Sequence, residues 1–66
     1  MGNSIKELAN KLREAREKKK LTQVEVAKKA DLNTNYYAVI ERGEVNPKVE
    51  TLIRILEALG IKLTLP

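Results

Sequence analysis

The sequence contains neither cysteine nor histidine, and this absence limits how a chain of 66 residues can fold. Without cysteine, no disulfide can cross-link the chain and zinc has no thiolate ligand. Without histidine, the chain lacks the commonest general base and the commonest neutral metal ligand. A chain of this size buries only about 60% of the surface that its unfolded form exposes. We therefore expect one small domain, residues 1–66, stabilised by helix packing with or without a second copy of the chain.

The composition also argues against a metalloenzyme, a membrane protein and a secreted domain. No apolar run reaches the roughly 18 residues of a membrane span, and the first residues lack the apolar core of a signal peptide. The nine carboxylates are scattered, and no glycine-rich phosphate loop accompanies them, so no catalytic set can be assembled. The sequence predicts a cytoplasmic protein that is not an enzyme and needs no metal or cofactor.

Positive charge is concentrated at the start of the chain. The net charge is +4, and residues 1–20, with seven basic and three acidic side chains, account for all of it. Residues 21–66 carry six of each sign. A basic end of this kind is compatible with a polyanionic partner, and a solvated helix face is the alternative explanation.

Four segments with helical periodicity follow one another, separated by short breaks. Ser4 with Glu7, and Thr22 with Glu25, have the spacing of a capping box at the start of the first two segments. A glycine follows the third and the fourth segment. The residues after Gly60 alternate between apolar and polar, which is typical of a strand. The predicted bounds are about 5–19, 23–30, 34–42 and 49–59 for the helices and about 61–65 for the strand.

Apolar spacing predicts which side of each helix is buried. In the second helix, Val24, Ala27 and Ala30 form the predicted buried edge. Val26 lies on the opposite flank. The predicted apolar stripe of the fourth helix consists of Val49, Leu52, Ile55, Leu56 and Leu59.

The second and third helices, joined by three or four residues, match a helix-turn-helix unit. One side of the third helix carries Tyr37 and Ile40, and the other side is small or polar. Asparagine can pair with adenine, threonine can bond several bases, and a small apolar side chain can touch a thymine methyl. An ordinary amphipathic helix with an exposed face is the alternative. The residues on the outer side are Thr34, Asn35, Ala38, Val39 and Arg42.

Several motifs occur together at fixed spacing: Thr-Gln and Ala within Leu21–Ala27, Ile-Glu-Arg-Gly within Asn33–Gly43, Asn46-Pro47, and Thr-Leu within Glu50–Gly60. Together they resemble the Cro/CI-type (XRE) helix-turn-helix family of phage and bacterial repressors, and the resemblance covers residues 5–60. It implies an all-α, lambda-repressor-like domain of four helices that binds double-stranded DNA as a transcriptional regulator.

The resemblance also implies roles for matching positions. Arg16 and Glu41 match an internal ion pair between the first and third helices. Arg16 in addition lies on the apolar stripe of its helix, where an arginine needs a carboxylate partner. The resemblance implies phosphate contacts by Gln23, Asn46 and Lys48. We add Tyr36, whose alternative role is packing, and Arg42, whose alternative is a solvated side chain. The expected base-contacting residues are Thr34, Asn35, Ala38 and Val39, and the expected phosphate-contacting residues are Gln23, Tyr36, Arg42, Asn46 and Lys48.

Three positions depart from the family pattern. Lys20 and Asp31 stand where many relatives have glycine, at the end of the first helix and in the turn. Positive φ is common at both, and a lysine adopts it at a cost of about 1 kcal/mol, whereas aspartate tolerates it better. Lys48 precedes the fourth helix without a side-chain acceptor. We expect a slightly strained or shifted turn with the motif retained.

The alternating tail is similar to the terminal strand of a subset of toxin–antitoxin antitoxins. A lone short strand is not stable by itself, whereas antiparallel pairing across a two-fold axis buries its apolar side chains, Ile61, Leu63 and Leu65. A tail folded onto its own helices is the alternative. The sequence thus predicts a homodimer that places two third helices about 34 Å apart on a pseudo-palindromic operator. The alternative function is an antitoxin that also binds a toxin protein.

Overall fold

The computed structural model describes residues 4–62, which form four helices and no strand. The all-α prediction is confirmed for this part of the chain. Ile61 and Lys62, at the start of the predicted strand, are irregular, and Leu63 and Leu65 lie outside the described residues. No helix in the described range is long and apolar enough to cross a bilayer. The helices are α1 (Ser4–Lys18), α2 (Gln23–Lys29), α3 (Thr34–Glu41) and α4 (Val49–Ala58).

Every helix contributes to one apolar core. α2 packs against α3 and α4, and α1 packs against α3. Tyr37, which the sequence places in the core, is fully buried. Burial of each large apolar side chain contributes about 1.5–3 kcal/mol, so this cluster is the main source of stability. Its buried members are Leu12, Val26, Ala27, Ala30, Tyr37, Ile40, Ile55 and Leu59.

Val24 and Val49 were predicted to be buried, and both predictions are wrong. Val24 is 57% exposed and Val26 is fully buried, the reverse of the prediction. On a helix, Val26 with Ala27 and Ala30 spans an arc of about 100°, whereas Val24 with the same two residues spans about 120°. The narrower stripe is the one that packs. Val49 is 72% exposed because it begins α4, one turn before the first residue of that helix that reaches the core.

All four helices end in the same motif. The residue after each C-cap has positive φ, and the amide of the next residue donates to the carbonyl five positions earlier, at 2.8–3.2 Å. This is the Schellman motif, which satisfies carbonyls at a helix end. The left-handed conformation expected at Lys20 and Asp31 is confirmed, with φ of 58° at each. The left-handed residues are Lys20, Asp31, Gly43 and Gly60.

Cationic side chains from neighbouring helices lie at the carboxyl ends of α2 and α3. Arg54 on α4 donates to the carbonyls of Ala30 at 2.9 Å and Asp31 at 2.8 Å. Lys6 on α1 donates to the carbonyl of Arg42 at 3.2 Å. A cation at this end of a helix offsets the negative end of its dipole. The turn between α2 and α3 is therefore held from α4, and the end of α3 is held from α1.

Candidate nucleic-acid interface

A buried carboxylate joins α1, α2 and α3. Arg16 donates from Nε to Oε2 of Glu41 at 2.6 Å and from Nη2 to Oε1 at 3.1 Å. The side chain of Glu41 is 2% exposed and that of Arg16 is 13% exposed. Gln23, the first residue of α2, donates from Nε2 to Oε1 of Glu41 at 3.1 Å. The structure thus brings Arg16 and Glu41 together, and it adds Gln23 to the pair.

The surroundings of Glu41 favour its charged form. Burial by itself raises the pKa of Glu41, but the hydrogen bonds from Arg16 and Gln23 outweigh it, so that the pKa lies below the ordinary value. The hydroxyl of Tyr37 is buried near this carboxylate and has no partner in hydrogen-bonding geometry among residues 4–62. Burial raises the pKa of Tyr37 well above its usual range, and the adjacent carboxylate of Glu41 acts in the same direction. Tyr37 therefore stays neutral.

The fold exposes one side of α3. Its inner residues, Tyr37, Ile40 and Glu41, are buried, whereas Asn35 is exposed. The helix begins at a defined point because Oδ1 of Asn33 accepts hydrogen bonds from the amides of Asn35 at 2.8 Å and Tyr36 at 3.2 Å. We call the outer side the α3 face. Its residues are Thr34, Asn35, Ala38, Val39 and Arg42, none of which is fully buried.

Two of the residues expected to contact phosphate already have partners. Gln23 is half-buried and donates to Glu41, and a capping box formed by Thr22 with Glu25 fixes the start of its helix. Arg42 pairs with Glu44 at 3.0 Å. Four of the residues expected to contact phosphate have exposed side chains: Tyr36, Arg42, Asn46 and Lys48.

Sequence reasoning missed Arg54, which binds the end of α2 and the turn that leads to α3. Its spacing from Glu50 and Glu57 on the same helix points to a local ion pair, and neither pair forms. The partners of Arg54 are two backbone carbonyls at the turn. Carbonyl groups are the same for every residue type, so no side-chain pattern in the sequence indicates this contact.

Two short helices crossing at a tight turn, with the second exposing a small and polar side, define a helix-turn-helix domain. A model of the helix-turn-helix family matches residues 12–65. The chain belongs to this family, which confirms the resemblance to Cro/CI-type proteins.

Curated relatives and one solved structure agree with this assignment. The immunity repressor protein of Bacillus phage phi105 is 40% identical over 57 residues, which are 86% of this chain and 40% of that protein. An uncharacterized HTH-type transcriptional regulator of Sinorhizobium fredii is 41% identical over 46 residues, 70% of this chain and 60% of that protein. The chain therefore spans about half the length of these relatives. The crystal structure of the restriction-modification controller protein C.AhdI from Aeromonas hydrophila has a TM-score of 0.88 and 28% identity over 92% of each chain.

Proposed function

We propose that the chain is a transcriptional regulator that binds specific double-stranded DNA by placing α3 in the major groove. The exposed α3 face carries this proposal. Its side chains are small or polar, so the helix can approach base edges closely, while Tyr37, Ile40 and Glu41 anchor its other side in the core. Membership of the helix-turn-helix family supports the proposal, as do relatives described as a repressor, a regulator and a controller protein.

Base contacts and phosphate contacts have separate roles in this proposal. Thr34, Asn35, Ala38 and Val39 distinguish sequences, with Asn35 as the donor and acceptor suited to adenine. Phosphate contacts supply most of the affinity and make it depend on salt. Arg42 must release Glu44, its salt-bridge partner, before it can bind a phosphate. The other phosphate contacts are Gln23, Tyr36, Asn46 and Lys48.

A homodimer on a pseudo-palindromic operator is part of the same proposal. Val49 is 72% exposed and Ile61 is 39% exposed, so the described residues leave apolar surface for a second copy. The two further leucines of the predicted interface, Leu63 and Leu65, lie outside the described range. Sedimentation of the full chain and of the variant Leu63→Ser/Leu65→Ser tests this part. A full chain that is monomeric at micromolar concentration contradicts it.

The descriptions of the relatives favour a regulator over an antitoxin, and the structure adds nothing in favour of a toxin partner. The proposal therefore names DNA as the partner, and a pull-down that recovers a toxin in place of DNA would contradict it.

Selection of bound sequences from a random duplex pool tests the DNA-binding function. Asn35→Ala should lose about 1–3 kcal/mol of binding free energy on the selected site and relax the preference at one base position. Lys48→Ala, a matched phosphate variant, should weaken binding to selected and mixed-sequence DNA alike. Equal losses of Asn35→Ala on both DNAs would contradict base reading by α3, and a pool without enrichment would contradict specific binding.

A further inference from the structure

A groove of about 540 Å³ lies beside the proposed interface, between α1 and the carboxyl end of α3. α1 contributes three side chains that recur at helical spacing along one exposed stripe, Lys6, Asn10 and Arg13. Gln23, one of the proposed phosphate contacts, lines the same groove. The groove is therefore continuous with the proposed DNA interface. The other lining residues are Arg16, Glu41, Arg42 and Glu44.

The groove has an excess of positive charge. Four of its charged side chains neutralise each other, because Arg16 pairs with Glu41 at 2.6 Å and Arg42 pairs with Glu44 at 3.0 Å. Lys6 and Arg13 form no salt bridge in the described part of the chain. Lys6 donates to a backbone carbonyl, and its charge helps to lower the pKa of Glu44. Two cations therefore remain without a carboxylate of their own.

Arg13 is oriented by a neutral partner. Its Nη2 donates to Oδ1 of Asn10 at 3.3 Å, so the full positive charge of the guanidinium is retained. The remaining N–H groups of Arg13 and the amide N–H groups of Asn10 are donors on the exposed stripe. A guanidinium can bind a phosphate with two parallel hydrogen bonds.

We propose that this groove binds one further phosphate of the DNA backbone, adjacent to the phosphate at Gln23. Arg13 and Lys6 supply the charge and Asn10 a neutral donor. The inference rests on the proposed function, because it extends the same interface along α1. All three side chains are exposed, so a phosphate held in place by a bound duplex suits the groove better than a free small anion. Phosphates follow along each strand at about 3.4 Å of helix axis, and Gln23 lines the same groove as Lys6, Asn10 and Arg13. A strand with one phosphate at Gln23 can therefore place a neighbouring phosphate in this groove.

The test compares Arg13→Gln with the control Lys11→Gln. Both remove one positive charge from an exposed position of α1, but Lys11 lies about 140° around the helix from Lys6 and outside the groove. Affinity for mixed-sequence duplex DNA and for the selected site is measured by fluorescence anisotropy over a salt series. Arg13→Gln should weaken binding roughly fivefold on both DNAs and reduce the salt slope by about one. Lys11→Gln should change affinity by less than about twofold.

A second variant, Asn10→Asp, places a negative charge in the groove and should weaken binding to both DNAs as well. Circular dichroism verifies that each variant is folded. Equal effects of Arg13→Gln and Lys11→Gln would overturn the inference, because only net charge would then matter. A loss confined to the selected site would overturn it too, because it would indicate base reading. Wild-type protein that binds neither DNA would instead refute the proposed function.

Discussion

Arg16 of α1 donates two hydrogen bonds to Glu41 at the end of α3, at 2.6 and 3.1 Å. The two residues are 25 positions apart in the sequence. Gln23 of α2 donates a third bond to the same carboxylate. A single buried side chain therefore fixes the position of α3 relative to both preceding helices.

Removal of this carboxylate should destabilise the fold strongly. Glu41→Ala leaves the mostly buried Arg16 with its hydrogen bond to the Leu21 carbonyl but without its buried carboxylate. We expect the free energy of unfolding to fall by about 3 kcal/mol. The double variant Arg16→Met/Glu41→Leu should recover most of the loss, since an apolar pair has no charge to bury. Urea denaturation measures both. A loss of less than about 1 kcal/mol in Glu41→Ala would show that Arg16 reaches water instead.

Stability should decrease in acid. The pKa of Glu41 is lowered in the folded chain, so the unfolded chain binds more protons and stability is lost as pH falls below about 4.3. Glu25 and Glu44 act in the same direction, because hydrogen bonds from the Thr22 amide and from Arg42 lower their pKa values. Urea denaturation from neutral pH to about pH 3 measures the effect. In Glu41→Gln, the free energy of unfolding should depend less on pH. An unchanged dependence would show that other carboxylates cause it.

Tyr37→Phe should stabilise the protein. The hydroxyl of Tyr37 is buried without a hydrogen-bond partner among the described residues, and its removal should raise the free energy of unfolding by about 1 kcal/mol. Tyr36→Phe is the matched control, because Tyr36 is 39% exposed. It should leave stability unchanged and weaken DNA binding. Thermal melting and DNA titration separate the two effects, and a less stable Tyr37→Phe would mean that the hydroxyl is bonded.

Glycine at the left-handed helix ends should also be stabilising. Lys20→Gly relieves a side chain from positive φ and should add about 1 kcal/mol, and Asp31→Gly should add less. Gly43→Ala is the opposite control, because its Cβ would lie 3.0 Å from Cδ and 3.3 Å from Cα of Lys6. Thermal melting should resolve these changes, at about 4–8 °C per kcal/mol. Lys20→Gly without a gain would show that the lysine is not strained.

The parts of the fold that local signals specify could be predicted from the sequence. A capping box at Thr22, and glycines at Gly43 and Gly60, indicate where helices begin and end without reference to the rest of the chain. The 3.6-residue period places Tyr37 inward and Asn35 outward on α3, and in the structure Tyr37 is buried and Asn35 is exposed. An arginine on an apolar stripe, Arg16, needs a carboxylate, and the structure provides Glu41.

The remainder depended on packing between helices. The short α2 offers two apolar stripes, and contact with α3 and α4 decides that Val26 is buried and Val24 exposed. The contact of Arg54 with the turn could not be predicted, because its partners are backbone carbonyls. The hydrogen bond from Gln23 to Glu41 was also missed, since it joins residues that are close only after α2 and α3 have folded together.

The Schellman motif that ends all four helices affects how the chain folds. Each reversal closes through an amide and a carbonyl only five positions apart, so the chain can turn back before any distant part has docked. Small helical domains with mostly local contacts fold within about microseconds to milliseconds. We therefore expect refolding in that time range, with the four reversals formed ahead of the bond between Arg16 and Glu41.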